Sequence, residues 1–153
     1  MWKAVNWCEL LKPIQQLMVT PGYSGTPLYK KLGIKPEMKI LLVDAPDHFE
    51  SLFETPISHQ LITFKTVPDI VNLFAKDHAA YLKGMQRLLP FYKKNKEMII
   101  WVSWYKKSSG IATDLTEDLI RDFALENELV DIKVCAIDEQ WSGLKLVMRV
   151  SKR

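Results

Sequence analysis

Two stretches of the chain are apolar on both faces of an extended strand, and they constrain the fold more than any other feature. They are ILLV at Ile40–Val43 and MIIWVSW at residues 98–104. Successive side chains of a strand point to opposite faces, so both faces of these strands need cover. Strands of this kind are typical of a parallel sheet with helices packed on both sides. The sequence therefore predicts an α/β fold.

The other elements alternate between strand and helix patterns. Strand patterns occupy residues 59–67, 69–75, 131–138 and 143–150, and helix patterns occupy residues 27–32, the segment from Pro46, residues 76–94 and the segment from Asp114. Pro90 is expected to kink or break the last turn of the long helix. Asp114 and Glu117 have the spacing of a capping box. Only residues 139–142 separate the last two strands, too few for a crossover, so these strands are expected to form a hairpin.

These elements predict a three-layer α/β domain with a mostly parallel sheet of about six strands and a C-terminal antiparallel hairpin. The order is similar to a class I methyltransferase (Rossmann-like) fold shortened by about one β-α unit, a likeness that carries no function. Residues 21–153 are expected to form this single domain. Residues 1–20 read as a separate N-terminal arm, either a short amphipathic helix broken at Pro13, a loosely ordered segment, or an over-long start with Met18 as the alternative first residue.

Composition excludes several functional classes. The net charge of +3 is too small to indicate nucleic-acid binding. Cys8 and Cys135 form no CxxC pair and have no nearby His, which argues against a zinc site and fits a reducing compartment. No apolar run approaches the roughly 20 residues that span a bilayer, and the first residues do not resemble a signal peptide. We therefore expect a cytoplasmic protein with no metal and no membrane association.

The turn after the first strand argues against a nucleotide cofactor. A dinucleotide or S-adenosylmethionine site needs glycines there, because the backbone must approach the ligand closely. Residues 44–48 read DAPDH, and Pro46 lacks a backbone N–H. We expect no cofactor, which makes a methyltransferase the least favoured function. Asp44 is interpreted either as a ligand contact or as an acid that merely ends the strand.

The main candidate site is the segment YKKSSGIATD, residues 105–114, beyond the carboxyl end of the strand at residues 98–104. Ligands of open α/β sheets bind beyond such strand ends, and helix N-termini favour anions. Lys106 and Lys107 offer charge, Ser108 and Gly110 offer donors, and Asp114 opens the next helix. The pattern favours a phosphate or carboxylate ligand. A solvated loop that keeps the chain soluble is the alternative.

A second candidate site is GYSGT, residues 22–26. Gly25 permits close backbone approach, with Ser24 and Thr26, either to a ligand or to the sheet edge. Ser24 lacks the strand-to-helix setting of a nucleophile elbow, so we assign no catalytic residue to this segment.

Two histidines follow strands at the starts of helices. His48 and His78 are each preceded by an aspartate, and the two segments could approach one another as a general base. The alternative is that both residues only decorate helix N-termini.

Trp141 lies in the hairpin turn, within DEQWSG. It is interpreted as an exposed contact surface for an unidentified protein partner, with packing over the sheet edge as the alternative.

Three ordered stretches carry a resemblance to a known family. They are GYSGTPLYKKLGIKP, KKSSGIATDLTEDLIRD and VCAIDEQWSGLKLVMR. From about Gly22 to Arg149 the chain resembles a small bacterial group, domain-of-unknown-function family 3052. The resemblance implies a bacterial cytoplasmic protein and brings no activity, substrate or cofactor. The positions that match the family's signature are Gly22, Ser24, Gly25, Thr26, Lys106, Lys107, Gly110, Thr113, Asp114, Asp138, Trp141 and Ser142.

The function predicted from these features is a non-catalytic module that binds a small anionic molecule. Its candidate ligand-binding residues are Ser24, Gly25, Thr26, Asp44, Lys106, Lys107, Ser108, Gly110 and Asp114. The alternative is a protein–protein interaction protein that uses the Trp141 hairpin or the N-terminal arm.

Overall fold

A computed structural model describes residues 25–153, which contain a six-stranded mixed sheet of order β2-β1-β3-β4-β6-β5. The strands are β1 Ile40–Val43, β2 Leu61–Ile62, β3 Ile70–Phe74, β4 Ile99–Tyr105, β5 Leu129–Ala136 and β6 Trp141–Met148. Strands β1 to β4 are parallel, while β6 runs antiparallel to both β4 and β5. The predicted fold class is confirmed. The proposed N-terminal arm, residues 1–20, lies outside the described residues.

The helices are α1 Leu28–Lys31, α2 His78–Lys94 and α3 Glu117–Glu126, with 3-10 turns at Phe49–Leu52, Ser58–Gln60, Lys107–Ser109 and Val150–Lys152. The helix predicted from Pro46 is therefore a single 3-10 turn. The strand predicted at residues 59–67 is also shorter than expected. It pairs with β1 over two residues only, because the chain then turns back and the Thr66 N–H donates to the Thr63 carbonyl.

One face of the sheet is covered by α2 and α3. The buried side chains of these helices pack on apolar residues of all four inner strands, and the cluster includes Leu41, Val71, Leu73, Tyr81, Met85, Leu88, Ile100, Val102, Ile120, Ala124 and Leu144. The Tyr81 hydroxyl donates to the Ile120 carbonyl at 2.9 Å and ties the two helices together. Burial of this hydroxyl raises the pKa of Tyr81 above its usual value.

The opposite face is covered by shorter elements. Helix α1 and the 3-10 turn at Phe49–Leu52 pack on it, with Leu28, Leu32, Phe49, Phe53, Ile70, Phe74 and Trp101 in one buried cluster. The Trp101 indole N–H donates to the Leu32 carbonyl at 3.0 Å, which fixes the end of α1 on the sheet. The expectation of cover on both faces is thus met, by long helices on one side and short ones on the other.

Helix α2 does not break at Pro90. The helix continues through this residue to Lys94, and the Asn95 N–H donates to the Phe91 carbonyl at its end. Proline removes only its own N–H, and here it does so one turn before the helix ends, so little of the hydrogen-bond ladder is lost. At the other end Asp77 is the N-cap, and its carboxylate accepts the Ala80 N–H at 2.8 Å.

The C-terminal hairpin adds two strands to the parallel part of the sheet. Strand β6 lies between β4 and β5, so β5 forms the edge. The predicted C-terminal antiparallel hairpin is confirmed. No helix within residues 25–153 is long and apolar enough to cross a membrane.

Candidate functional site

The carboxyl ends of the parallel strands and the turn between β5 and β6 meet at one edge of the sheet. The strand order reverses between β1 and β3, where α/β folds commonly bind ligands. Asp44 follows β1 at this point, with a left-handed backbone at φ 55°. Lys106 follows β4 at the same edge, and Asp138 begins the β5–β6 turn.

A cavity of about 740 Å³ opens beyond the end of β4. Its walls come from the end of β4, the segment that leads to α3, the first turn of α3 and the start of β6. The lining residues are Trp104, Tyr105, Lys106, Lys107, Gly110, Ile111, Ala112, Thr113, Leu115, Thr116, Glu117, Asp118 and Ser142. Three predicted ligand residues, Lys106, Lys107 and Gly110, therefore share this cavity.

The segment after β4 is held by its own hydrogen bonds. The Lys106 N–H donates to the Gln140 carbonyl at 3.0 Å, and Lys107–Ser109 forms a 3-10 turn. Gly110 ends that turn at φ 76°, a conformation that favours glycine. Its N–H donates to the Lys107 carbonyl, so the backbone donor predicted at Gly110 is already used. The cavity is left with the two lysine side chains as its cationic donors.

The helix opposite these lysines begins later than predicted. The N-cap of α3 is Thr116, whose side chain accepts the Leu119 N–H at 3.2 Å, so the capping box at Asp114 was wrong. Asp114 is engaged elsewhere, because its carboxylate accepts the His78 N–H at 2.8 Å at the start of α2. Asp114 therefore serves the start of α2, and the Thr116 hydroxyl two residues later caps α3.

Charges in the cavity are unevenly paired. Within residues 25–153 neither Lys106 nor Lys107 forms an ion pair. The acids opposite, Glu117 and Asp118, both contact the guanidinium of Arg121, which also binds Asp131 at 3.1 Å. The hydrogen bond to Glu117 is the main cause of a raised Arg121 pKa. Glu117 and Asp118 thus share one guanidinium with Asp131 and are only partly neutralised, and neither lysine forms an ion pair with them.

The remaining predicted ligand residues do not line this cavity. Asp44, Ser108 and Asp114 lie outside its walls. Gly25 and Thr26 precede α1, whose N-cap position is held by Pro27 without a side-chain cap. Ser24 lies outside the described residues. The proposed site therefore contains fewer of the predicted ligand residues than the sequence suggested.

An unpredicted pair links the segment after β1 to the β5–β6 turn. The His48 Nε2 atom lies 2.7 Å from a carboxylate oxygen of Asp138, a residue only 8% exposed. Within residues 25–153 no hydrogen bond joins His48 to His78, whose backbone N–H donates to the Asp114 carboxylate. A second, smaller cavity of about 470 Å³ borders the pair, lined by His48, Leu52, Asp138, Glu139 and Gln140. Ninety residues separate the partners, so no local pattern could have revealed them.

Trp141 is buried rather than exposed. It is 3% exposed, stacks on Tyr105 at a ring distance of 4.3 Å and meets Phe74 edge-to-face at 5.0 Å. The alternative of packing over the sheet edge is correct, and the exposed contact surface expected at Trp141 is not present. Within residues 25–153 no group of three or more His, Cys, Asp or Glu side chains is placed to hold a metal ion.

No protein-family model and no curated protein sequence matches the chain, so the resemblance to family 3052 stays a prediction. Some solved structures are similar in fold. A protein in the NADB-Rossmann superfamily from Streptococcus agalactiae is 6% identical over 73% of this chain and 62% of its own, with a TM-score of 0.42.

Two further solved structures have comparable likeness. LepI in complex with SAM is 15% identical over 80% of this chain and 39% of its own, with a TM-score of 0.45. A ribosomal protein L11 methylase from Lactobacillus delbrueckii subsp. bulgaricus is 13% identical over 78% and 74%, with a TM-score of 0.40. The chain spans less than two thirds of the Streptococcus protein and of LepI. These likenesses concern the fold alone.

Proposed function

We propose that the protein is a binding module for a small anionic molecule, held in the cavity beyond β4. The observation that supports this proposal is a concave site at a parallel strand end, bordered by two lysines that form no ion pair within residues 25–153. An anion placed there would form charge-assisted hydrogen bonds with Lys106 and Lys107, which are stronger than bonds between neutral groups. We assign no catalytic residue.

The size and walls of the cavity indicate what kind of anion it would accept. Its volume of about 740 Å³ lies within the range of small-molecule sites. Trp104 and Leu115 are buried in its wall, and Ile111 is partly exposed beside them. An apolar wall opposite a cationic rim suits a metabolite that carries a phosphate or carboxylate at one end and a ring or chain at the other. Free inorganic phosphate would use only part of this surface.

The acidic side chains of α3 oppose the binding of an anion in this cavity. Glu117 and Asp118 face the same cavity, and they would repel an anion if they were unpaired. Because Arg121 contacts both carboxylates, their field at the lysines is reduced. We therefore expect binding that weakens as salt is added, since Lys107 is exposed and its attraction is screened.

A thermal-shift screen of phosphorylated and carboxylated metabolites, followed by calorimetry with the best compound, tests the proposal. Lys106→Ala combined with Lys107→Ala should weaken binding by at least about a hundredfold, because two charged hydrogen bonds are lost and each contributes about 1.5–3 kcal/mol. Lys94→Ala with Lys96→Ala is the matched control, since it removes the same charge at the opposite edge of the sheet. Equal affinity of both double variants and the wild type would exclude this site.

S-adenosylmethionine belongs in the same calorimetry series. The residues after β1 contain no glycine, and Asp44 rather than glycine takes the left-handed position there. Micromolar binding of S-adenosylmethionine that survives the lysine substitutions would favour the methyltransferase alternative over the anion site.

A further inference from the structure

His48 is connected to the cavity beyond β4 although it does not line it. The connection runs through the β5–β6 turn, residues 137–140, in which Asp138, Glu139 and Gln140 line the smaller cavity. The turn leads into β6, where Ser142 lines the cavity beyond β4. His48 bonds Asp138 on one side of this turn, and on the other side the Gln140 carbonyl accepts the Lys106 N–H at 3.0 Å.

Asp138 organises the turn itself. One carboxylate oxygen accepts the N–H groups of Gln140 and Trp141, both at 2.8 Å. The other oxygen is the one that His48 contacts. Hydrogen bonds to an ionised carboxylate are about twice as strong as neutral ones, and this carboxylate is nearly buried. The orientation of Asp138 therefore fixes the backbone that receives Lys106.

The bond from His48 holds the second oxygen of this carboxylate, which the backbone N–H groups of the turn do not contact. A carboxylate only accepts hydrogen bonds, so the Nε2 atom must carry the hydrogen and donate it. The side chain is 47% exposed, and no other side-chain hydrogen bond of His48 is formed within residues 25–153. Its one contact of this kind is the bond to Asp138.

A second contact links the same turn to the wall of the cavity beyond β4. Trp141 follows Gln140 and stacks on Tyr105, which lines the cavity next to Lys106. A shift of the turn would therefore move both a lysine and an aromatic ring of the site.

We propose that His48 is a positioning residue for the anion site: through Asp138 and Gln140 it holds Lys106 and Tyr105 in the geometry that binds the ligand. This inference rests on the proposed function for its consequence in binding, and on the hydrogen-bond chain for its mechanism. The two parts are tested separately.

The variants are His48→Ala, which removes the donor, and His48→Gln, whose side-chain amide can place an N–H near the position of Nε2. His59→Ala is the matched control, because it removes an exposed imidazole from the 3-10 turn Ser58–Gln60. Calorimetry uses inorganic pyrophosphate as the probe. His48→Ala should weaken its binding about tenfold, because a displaced Lys106 loses part of its charge-assisted bonding to the probe, while His48→Gln and His59→Ala retain the wild-type affinity.

Amide hydrogen exchange tests the mechanism without any ligand. In His48→Ala the Lys106 amide should exchange about tenfold faster, while buried amides of β3 such as that of Val71 keep their protection. Rescue by His48→Gln is expected in this measurement too. If the wild type binds no pyrophosphate, the proposed function fails for this probe and the exchange result alone decides the hydrogen-bond chain. Unchanged exchange at Lys106, or unchanged affinity in His48→Ala, would overturn the inference.

Discussion

Ser103 carries a hydroxyl that is buried in the middle of β4 without a hydrogen-bond partner. The residue is 0% exposed, and its Oγ atom has no partner within residues 25–153. Asn72 on the neighbouring strand β3 has two similarly orphaned side-chain atoms on the same face of the sheet. Buried polar groups are almost always bonded, so the substitution Ser103→Ala is an informative perturbation.

The magnitude follows from two opposing effects. Burying an unsatisfied hydroxyl costs about 1–3 kcal/mol, and alanine removes that cost. The space left by one oxygen atom costs roughly 0.5 kcal/mol if the surroundings do not relax. We therefore expect Ser103→Ala to stabilise the protein by about 1 kcal/mol, which corresponds to a rise in Tm of about 2–4 °C for a chain of this size.

Urea unfolding followed by tryptophan fluorescence measures this change, with thermal unfolding by circular dichroism as a second measurement. Ser58→Ala serves as the control, since this hydroxyl is exposed and its loss should change the free energy of unfolding by less than about 0.5 kcal/mol. A loss of 1 kcal/mol or more in Ser103→Ala would refute the reasoning. It would show that the hydroxyl has a partner, such as a water molecule shared with Asn72.

Two further substitutions test the packing and the charges of the sheet. Gly84→Ala should destabilise the protein by about 1 kcal/mol in urea unfolding, because the new Cβ would lie 2.6 Å from a Cδ atom of the buried Leu73. This crowding outweighs the gain in helix propensity from glycine to alanine. Adding Leu73→Val should restore stability, and a Gly84→Ala variant more stable than the wild type would contradict the argument. Lys145→Met should raise Tm at neutral pH, since burial and then Lys133, its partner across the strands, lower the Lys145 pKa and the folded state disfavours its charge. The folded protein then binds the Lys145 proton less tightly than the unfolded chain, so wild-type stability rises with pH above the lowered pKa. The gain in Tm from Lys145→Met should therefore shrink toward about pH 10. A gain that grows with pH would contradict the predicted direction of the pH dependence.

The parts of the fold that the sequence predicts correctly are those set by strong local patterns. The apolar runs of β1 and β4 require cover on both faces, and only a few arrangements provide it. The short link between the last two strands permits a hairpin and no crossover. The length of strand β2 could not be predicted from a local pattern. It is an edge strand with a partner on one side only, so its length depends on β1 rather than on its own residues.

The sequence predicts where the site lies but not which side chains line it. The rule that ligands bind beyond strand ends leads correctly to the segment after β4. Which side chains line the cavity depends on competition between contacts far apart in sequence. Asp114 resembles an N-cap locally, but the free N–H at His78 takes its carboxylate. Trp141 lies in a turn and would be exposed there, but Tyr105 and Phe74 provide a surface that buries it.

The cavity itself follows from the placement of β6. The chain runs from β4 through α3 to β5, but β6 lies between β4 and β5 in the sheet. The segment that leaves β4 therefore has to cross over β6. Because β6 runs antiparallel, its first residue, Trp141, lies opposite Tyr105 at the carboxyl edge. The crossover segment therefore leaves a gap against the start of β6, with Lys106 on one side and Ser142 on the other. The hairpin that closes the sheet thus also builds one wall of the proposed site, which explains why contacts in its turn reach the lysines.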